Sequence, residues 1–204
     1  MVNSISPLRL DERGRFLDFV RKNRELTEAR TAWTIYSCGA HPWSLAHPAQ
    51  ARFTITEESD GKYIGWRYPK TRTTERKRRH VVGVDAEGRE LAEVKITKYR
   101  PRKQTMAHVP LNPEIAPWIA SFLENELGYT EEEYRLRVVE VGELSGLPGL
   151  TPRTLRHDFC FRACLACNWD LNRASLLAGT TVSTLLRYTR DRPLDLGEGA
   201  ALLF

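Results

Sequence analysis

No stretch of the 204-residue chain approaches the roughly 20 consecutive apolar residues of a membrane span, so no membrane partner is expected. The opening residues, MVNSISPLRLDERG, lack the apolar core of a secretion signal, and the expected location is the cytoplasm, or the nucleoid when DNA is bound. Cysteine is scarce: Cys38, Cys160, Cys164 and Cys167 are the only four. Without a secretion signal they are expected as free thiols. The last three, at i, i+4 and i+7, share one helix face, where a small apolar side chain packs readily. Cys164 and Cys167 form a CxxC with His157 one turn before Cys160, but no second ligand pair stands nearby, so core packing is expected and no metal is assigned. No GxGxxG, Walker loop, HExxH or GxSxG occurs, which leaves dinucleotide, nucleoside triphosphate, zinc-peptidase and serine-hydrolase chemistry without a motif. No cofactor is expected.

What the chain does have is positive charge in one place. The net charge is +5 and the pI about 9.1. Between Arg67 and Lys103 there are 13 Lys and Arg against 5 Asp and Glu, so this segment is more basic than the whole chain. A concentrated basic segment neutralises phosphates and releases counterions. Lys70, Arg72, Arg76, Lys77, Arg78, Arg79, Lys98, Arg100 and Arg102 are therefore the candidate contacts to double-stranded DNA. A solvated charged hairpin is the plainer alternative.

Hydrophobic spacing predicts helices over Leu10 to Lys22, with Asp11 as N-cap, and Thr27 to Cys38, stopped by Gly39. A short helix or turn follows at His41 to Leu45 and is broken at Pro48. RFTITEE, the Asp60-Gly61 turn and KYIGWRY read as a hairpin, HVVGV and ELAEVKIT as a second, and MAHVPL as a last strand. Helices are expected again over PEIAPWIASFLENEL, TEEEYRLRVVEVGEL, Thr151 to Cys167, Asp170 to Leu177 and Val182 to Tyr188. The order is helices, one contiguous block of antiparallel strands, then helices. That is an α+β layout, mainly helical with a small antiparallel sheet. The length suits a single domain, placed at residues 1–192, with a tail at 193–204.

One segment carries more than a fold class. TPRTLRH supplies Arg156, LLAG follows, and STLLRY supplies Tyr188, 32 residues after the arginine. Leu150 to Arg190 resembles the C-terminal half of the tyrosine recombinase (phage integrase) catalytic domain. The family pattern there is T-P-H-x-L-R-H, a helix, L-L-G-H, then S-T-x-x-Y. Upstream, YSCGAHPWSL sits where the family has T-G-L-R-x-S-E-L, and the resemblance then covers about residues 8 to 190. It implies a catalytic-domain-only member, without the family's N-terminal DNA-clamp domain, of the kind found on mobile elements.

The resemblance implies a chemistry. A tyrosine hydroxyl attacks a DNA phosphodiester, two arginines grip the non-bridging oxygens, a hairpin lysine protonates the leaving oxygen, and a His or Trp helps hold the phosphate. Tyrosine is a weak nucleophile because its pKa is about 10, and only arginine presents a planar fork to phosphate. Carried over by position, Tyr188 is the nucleophile and Arg156 the second arginine. Arg153 stands where the family has His, His41 falls at the first arginine, and Gly179 falls at the His/Trp position. The hairpin lysine falls on Lys103, just before MAHVPL, on Lys70 or on Lys98, and the three stay open. The expected activity is site-specific DNA cleavage and rejoining, for integration or recombination. The alternative is a catalytically degenerate DNA-binding or regulatory protein on the same fold. An RNA-binding or unrelated basic domain is a more distant reading. In the family a C-terminal segment often docks on a neighbouring subunit, so the apolar end Leu202, Leu203 and Phe204 is expected to pack either across a subunit contact, giving self-association on DNA, or back on its own core.

Overall fold

The computed structural model describes residues 7–67, 74–84, 90–99 and 106–189. The chain divides into two compact units, residues 1–68 with 105–204, and residues 69–104.

The first unit opens with α1 (Leu10–Lys22) and α2 (Thr27–Cys38). The boundaries are those the spacing predicts, but the N-cap of α1 is Arg9, not Asp11. Glu12, at the third helical position, accepts the Arg9 backbone N–H at 2.8 Å, and this puts the cap two residues before Asp11. α2 buries Ala29, Ala32, Trp33, Ile35, Tyr36 and Cys38, on all sides of the helix. A helix apolar all round belongs inside a core, and α2 packs against α1 and three later helices. It ends where Gly39 turns left-handed, with φ of 65°. Two short helices follow, α3 (Pro42–Ala46) and α4 (Pro48–Ala51). Pro48 thus starts a helical turn rather than only ending one, since proline suits a first helical position.

The strands β1 (Thr54–Glu58), β2 (Gly61–Arg67) and β5 (Met106–Leu111) form one antiparallel sheet in the order β1-β2-β5. β5 alternates, burying Ala107, Val109 and Leu111, and central β2 buries Ile64 and Trp66. Edge strand β1 is exposed throughout. In the second unit β3 (Thr74–Val84) and β4 (Glu90–Tyr99) pair with each other. The strands contiguous in sequence are therefore two sheets rather than one block, because β5 pairs with β2 and not with its neighbour β4. β3 also starts six residues before the predicted HVVGV and takes in the run Arg76 to Arg79.

The first unit closes with α5 (Ala116–Asn125), α6 (Glu131–Leu144), α7 (Pro152–Ala166), α8 (Leu171–Leu177) and α9 (Val182–Thr189). Local chemistry sets their starts. Thr130 and Glu133 form a capping box on α6, Thr151 caps α7 ahead of Pro152, and Asp170 caps α8. Phe122, Tyr134, Val138, Leu155 and Cys160 join Phe16, Val20 and Ile35 in one core. Among the described residues no helix is long and apolar enough to cross a membrane.

Candidate active site

α7 carries Arg153, Arg156 and His157 in its first two turns. Arg153 is exposed, Arg156 half-buried and His157 buried. The Arg156 guanidinium is held at both ends by main chain: Nη1 donates to the Gly39 carbonyl at 2.7 Å and Nη2 to the Ala178 carbonyl at 2.8 Å. Trp66 and Phe159 lie beside it, with ring centroids 5.5 and 5.7 Å from its central carbon. A Cβ at Gly39 would fall inside Phe159 and against Arg156 Nη1, so only glycine lets the end of α2 come this close.

Two residues past Gly39, His41 caps α3, and its Nδ1 accepts the Trp43 backbone N–H at 3.2 Å. A neutral His41 therefore carries its proton on Nε2. The protein around its ring lowers its pKa below the usual imidazole value; Glu131 opposes this and the Arg156 charge reinforces it. The side chain nonetheless keeps a solvent-exposed edge.

α9 supplies Tyr188, half-buried against the core. Its ring meets the His157 ring edge to face, with centroids 4.1 Å apart. Burial pushes the Tyr188 hydroxyl above its ordinary pKa and nearby Cys160 adds to that, while Arg156, Arg153 and Arg187 pull it back down. A neutral phenol is thus the resting form, set among positive charges that favour the phenolate. The Arg156 charge thus reaches both His41 and Tyr188, and Arg153 reaches Tyr188 as well.

Gly179 answers differently. It follows α8 with φ of 57°, and a Cβ there would sit 2.8 Å from the Ala107 nitrogen and 2.9 Å from the Ala107 Cβ. The place where the family pattern has His or Trp is filled by backbone packed on β5.

Lys103, Lys70, Arg72, Arg100 and Arg102 lie outside the described residues. Arg76, Lys77, Arg78 and Arg79 lie on β3 and Lys98 on β4. Cys160 and Cys164 are buried free thiols and Cys167 is partly exposed. Among the described residues no group of three His, Cys, Asp or Glu is placed to hold a metal ion.

Sequence reasoning misses the partners that orient these groups. Main-chain carbonyls at 39 and 178 leave no signature, since every residue has one. Trp66, whose indole N–H donates to the Cys38 carbonyl at 3.1 Å, reads in the sequence only as a strand residue. Asp158 does carry a signal, because Arg162 stands four residues on, a spacing that pairs charges on a helix.

No protein-family model matches the chain, and no curated protein matches it in sequence. Solved structures do. The Tn1549 transposon integrase, residues 82–397, in complex with a circular intermediate DNA, aligns in two structures with TM-scores of 0.57 and 0.56 at 14% and 13% identity. The alignments cover 98% of this chain and 66% of that one. The same integrase bound to transposon right end DNA aligns with a TM-score of 0.51 at 12% identity, covering 95% of this chain and 64% of that one. The chain thus spans just under two thirds of the integrase region it matches. The likeness establishes an integrase-like α+β fold.

Proposed function

We propose that this chain is a tyrosine recombinase-like protein that binds double-stranded DNA and breaks and rejoins a strand through Tyr188, without metal or nucleotide. The observation that most supports this reading is the Arg156 guanidinium, anchored by the Gly39 and Ala178 carbonyls, whose charge reaches both His41 at the α2–α3 junction and Tyr188 of α9. The fold likeness to an integrase solved on DNA supports the choice of partner.

In this reading the Tyr188 hydroxyl gives up its proton to solvent as its oxygen attacks a phosphorus of the DNA backbone. The P–O5′ bond breaks, the 5′ oxygen leaves as a hydroxyl after taking a proton, and the 3′ phosphate stays on the tyrosine. Attack by a 5′ hydroxyl reverses the steps and rejoins the strand. The phosphotyrosine conserves the phosphodiester bond energy, so no ATP is needed. Arg156 has five N–H donors, two of them committed to carbonyls, and the charge and remaining donors face developing negative charge on the non-bridging oxygens. Arg153 adds charge, and His41 donates in place of an arginine. Lys103, or Lys98 or Lys70, protonates the leaving oxygen. The basic residues between Lys70 and Arg102 follow the DNA backbone, and the tail at 193–204 seats against a neighbouring copy on DNA.

The test is a nicked duplex carrying the cognate site, which loses a short fragment after cleavage and so traps the intermediate. Wild-type protein is expected to form an adduct that survives denaturant. Tyr188→Phe should abolish it and retain DNA affinity, and Arg156→Lys should reduce it sharply, since a point charge cannot replace the fork. DNA binding without an adduct from wild type would leave a degenerate DNA binder. An adduct formed equally well by Tyr188→Phe would remove Tyr188 as nucleophile.

A further inference from the structure

The two carbonyls that hold Arg156 belong to segments distant in the chain, the end of α2 and the loop after α8. What sets the gap between them is the β2–β5 pair. Trp66 of β2 bonds the Cys38 carbonyl at 3.1 Å, one residue before Gly39. Across the sheet its register partner is Ala107 of β5. Ala107 in turn touches Gly179, one residue after Ala178, so closely that a Cβ at 179 would lie 2.8 Å from its nitrogen. A closed path therefore runs from Cys38 and Gly39 through Trp66, Ala107, Gly179 and Ala178, and Arg156 completes it. Trp66, Ala107, Cys38 and Ala178 are each at most 2% exposed, so the path has little room to flex.

We infer that Trp66 is a positioning residue: with Ala107 it sets the separation of the Gly39 and Ala178 carbonyls and thereby fixes the plane of the Arg156 guanidinium. The residue type matters. A phenylalanine would fill much of the same volume, but only an indole combines a large apolar body with the N–H that ties β2 to the end of α2. The Trp66 ring also stands 5.5 Å from the guanidinium carbon, so one side chain both flanks the fork and fixes one of its anchors. A fork held in advance loses less freedom when an anion arrives.

The orientation of Arg156 stands on geometry alone; its catalytic consequence rests on the function proposed above. The experiment separates the two. In the full chain labelled with nitrogen-15, a clamped guanidinium gives separate, slowly rotating Nη signals, assigned to Arg156 by their absence from Arg156→Lys. In Trp66→Phe those signals should merge while the remaining backbone spectrum is kept. Ala107→Gly makes a milder change at the other end of the path and should broaden or merge them too, which keeps the test open if Trp66→Phe does not fold. Averaged signals in wild type, or separate signals retained in a folded variant, would overturn the inference. On the nicked duplex, Trp66→Phe should slow adduct formation at saturating DNA about 10²-fold, the scale of a misplacement near 1 Å, and leave duplex affinity unchanged. Equal loss of affinity and rate would mark general disruption and count against positioning. A wild-type protein that forms no adduct would defeat the proposed function, while the signals of Arg156 would still decide the role of Trp66.

Discussion

The Asp158 carboxylate lies 2.7 Å from Arg13 Nη2 across 145 positions of sequence, with Asp158 fully buried and Arg13 5% exposed. Its other oxygen accepts from Arg162 Nε at 2.9 Å, and the Arg162 guanidinium lies 3.9 Å over the Tyr36 ring. One carboxylate thus ties α1, α2 and α7 together, two residues after Arg156. Removing it should leave Arg13 buried without its counter-charge. Asp158→Ala is expected to lose about 3–5 kcal/mol in urea unfolding, whereas joint replacement of Asp158 and Arg13 by apolar residues should lose far less. A loss under about 1 kcal/mol for Asp158→Ala would show that water or rearrangement satisfies Arg13 without it.

Gly179→His restores the residue type of the recombinase pattern at a place with no room for it. The left-handed backbone alone costs a non-glycine residue about 1–2 kcal/mol, and the Cβ must also displace Ala107. The variant should therefore be less stable in thermal melting and should form the DNA adduct no faster than wild type. A faster adduct at unchanged stability would mean that the loop after α8 adapts freely.

His41→Arg should act in two directions. Trp43 loses the acceptor for its backbone N–H, and lost caps typically cost about 0.5–2 kcal/mol. The new guanidinium should nevertheless raise the rate of adduct formation, because a fork replaces a single imidazole donor. Both readouts are needed: lower stability with no gain in rate would show that position 41 does not face the phosphate.

The pH dependence of folding follows from buried thiols. Burial pushes Cys38 and Cys164 up to about 12 from the ordinary 9.0. Each folded value lies above the unfolded one, so the stabilisation is complete below about pH 9 and is lost as pH rises towards about 12. Urea midpoints should hold steady up to about pH 9 and then fall. Replacing both cysteines by alanine should lower stability at neutral pH but flatten that alkaline decline. His41, lowered in the fold chiefly by burial, works on the acid side: its contribution is present above the unfolded imidazole value and fades as pH drops through the folded one.

Binding to duplex DNA should weaken steeply with salt if β3 lies along the phosphate backbone. Changing Arg76, Lys77, Arg78 and Arg79 to glutamate should reduce affinity for all sequences about equally. It should also flatten the salt slope by about 0.9 for each phosphate that is no longer neutralised. Titration of a labelled duplex at several salt concentrations measures both quantities. Unchanged affinity would move the DNA surface elsewhere.

Much of the architecture was determined by sequence alone because its signals are local. The limits of α1, α2 and β5 follow from apolar spacing within a few residues, and Gly39, Thr130, Thr151 and Asp170 mark ends or starts through their own backbone or side-chain chemistry. The α+β class follows from the order of those elements. The spacing from Arg156 to Tyr188 is likewise legible, since α7, α8 and α9 carry both residues without an insertion. The tertiary structure decided the rest. The pairing of β5 with β2 rather than β4 depends on which apolar faces meet the helices, and strand periodicity is the same for either partner. That Arg156 is held by the carbonyls of residues 39 and 178, and that Ala107 occupies the space beside Gly179, could come only from three dimensions. A backbone carbonyl or a missing Cβ becomes specific only through what the folded chain brings against it.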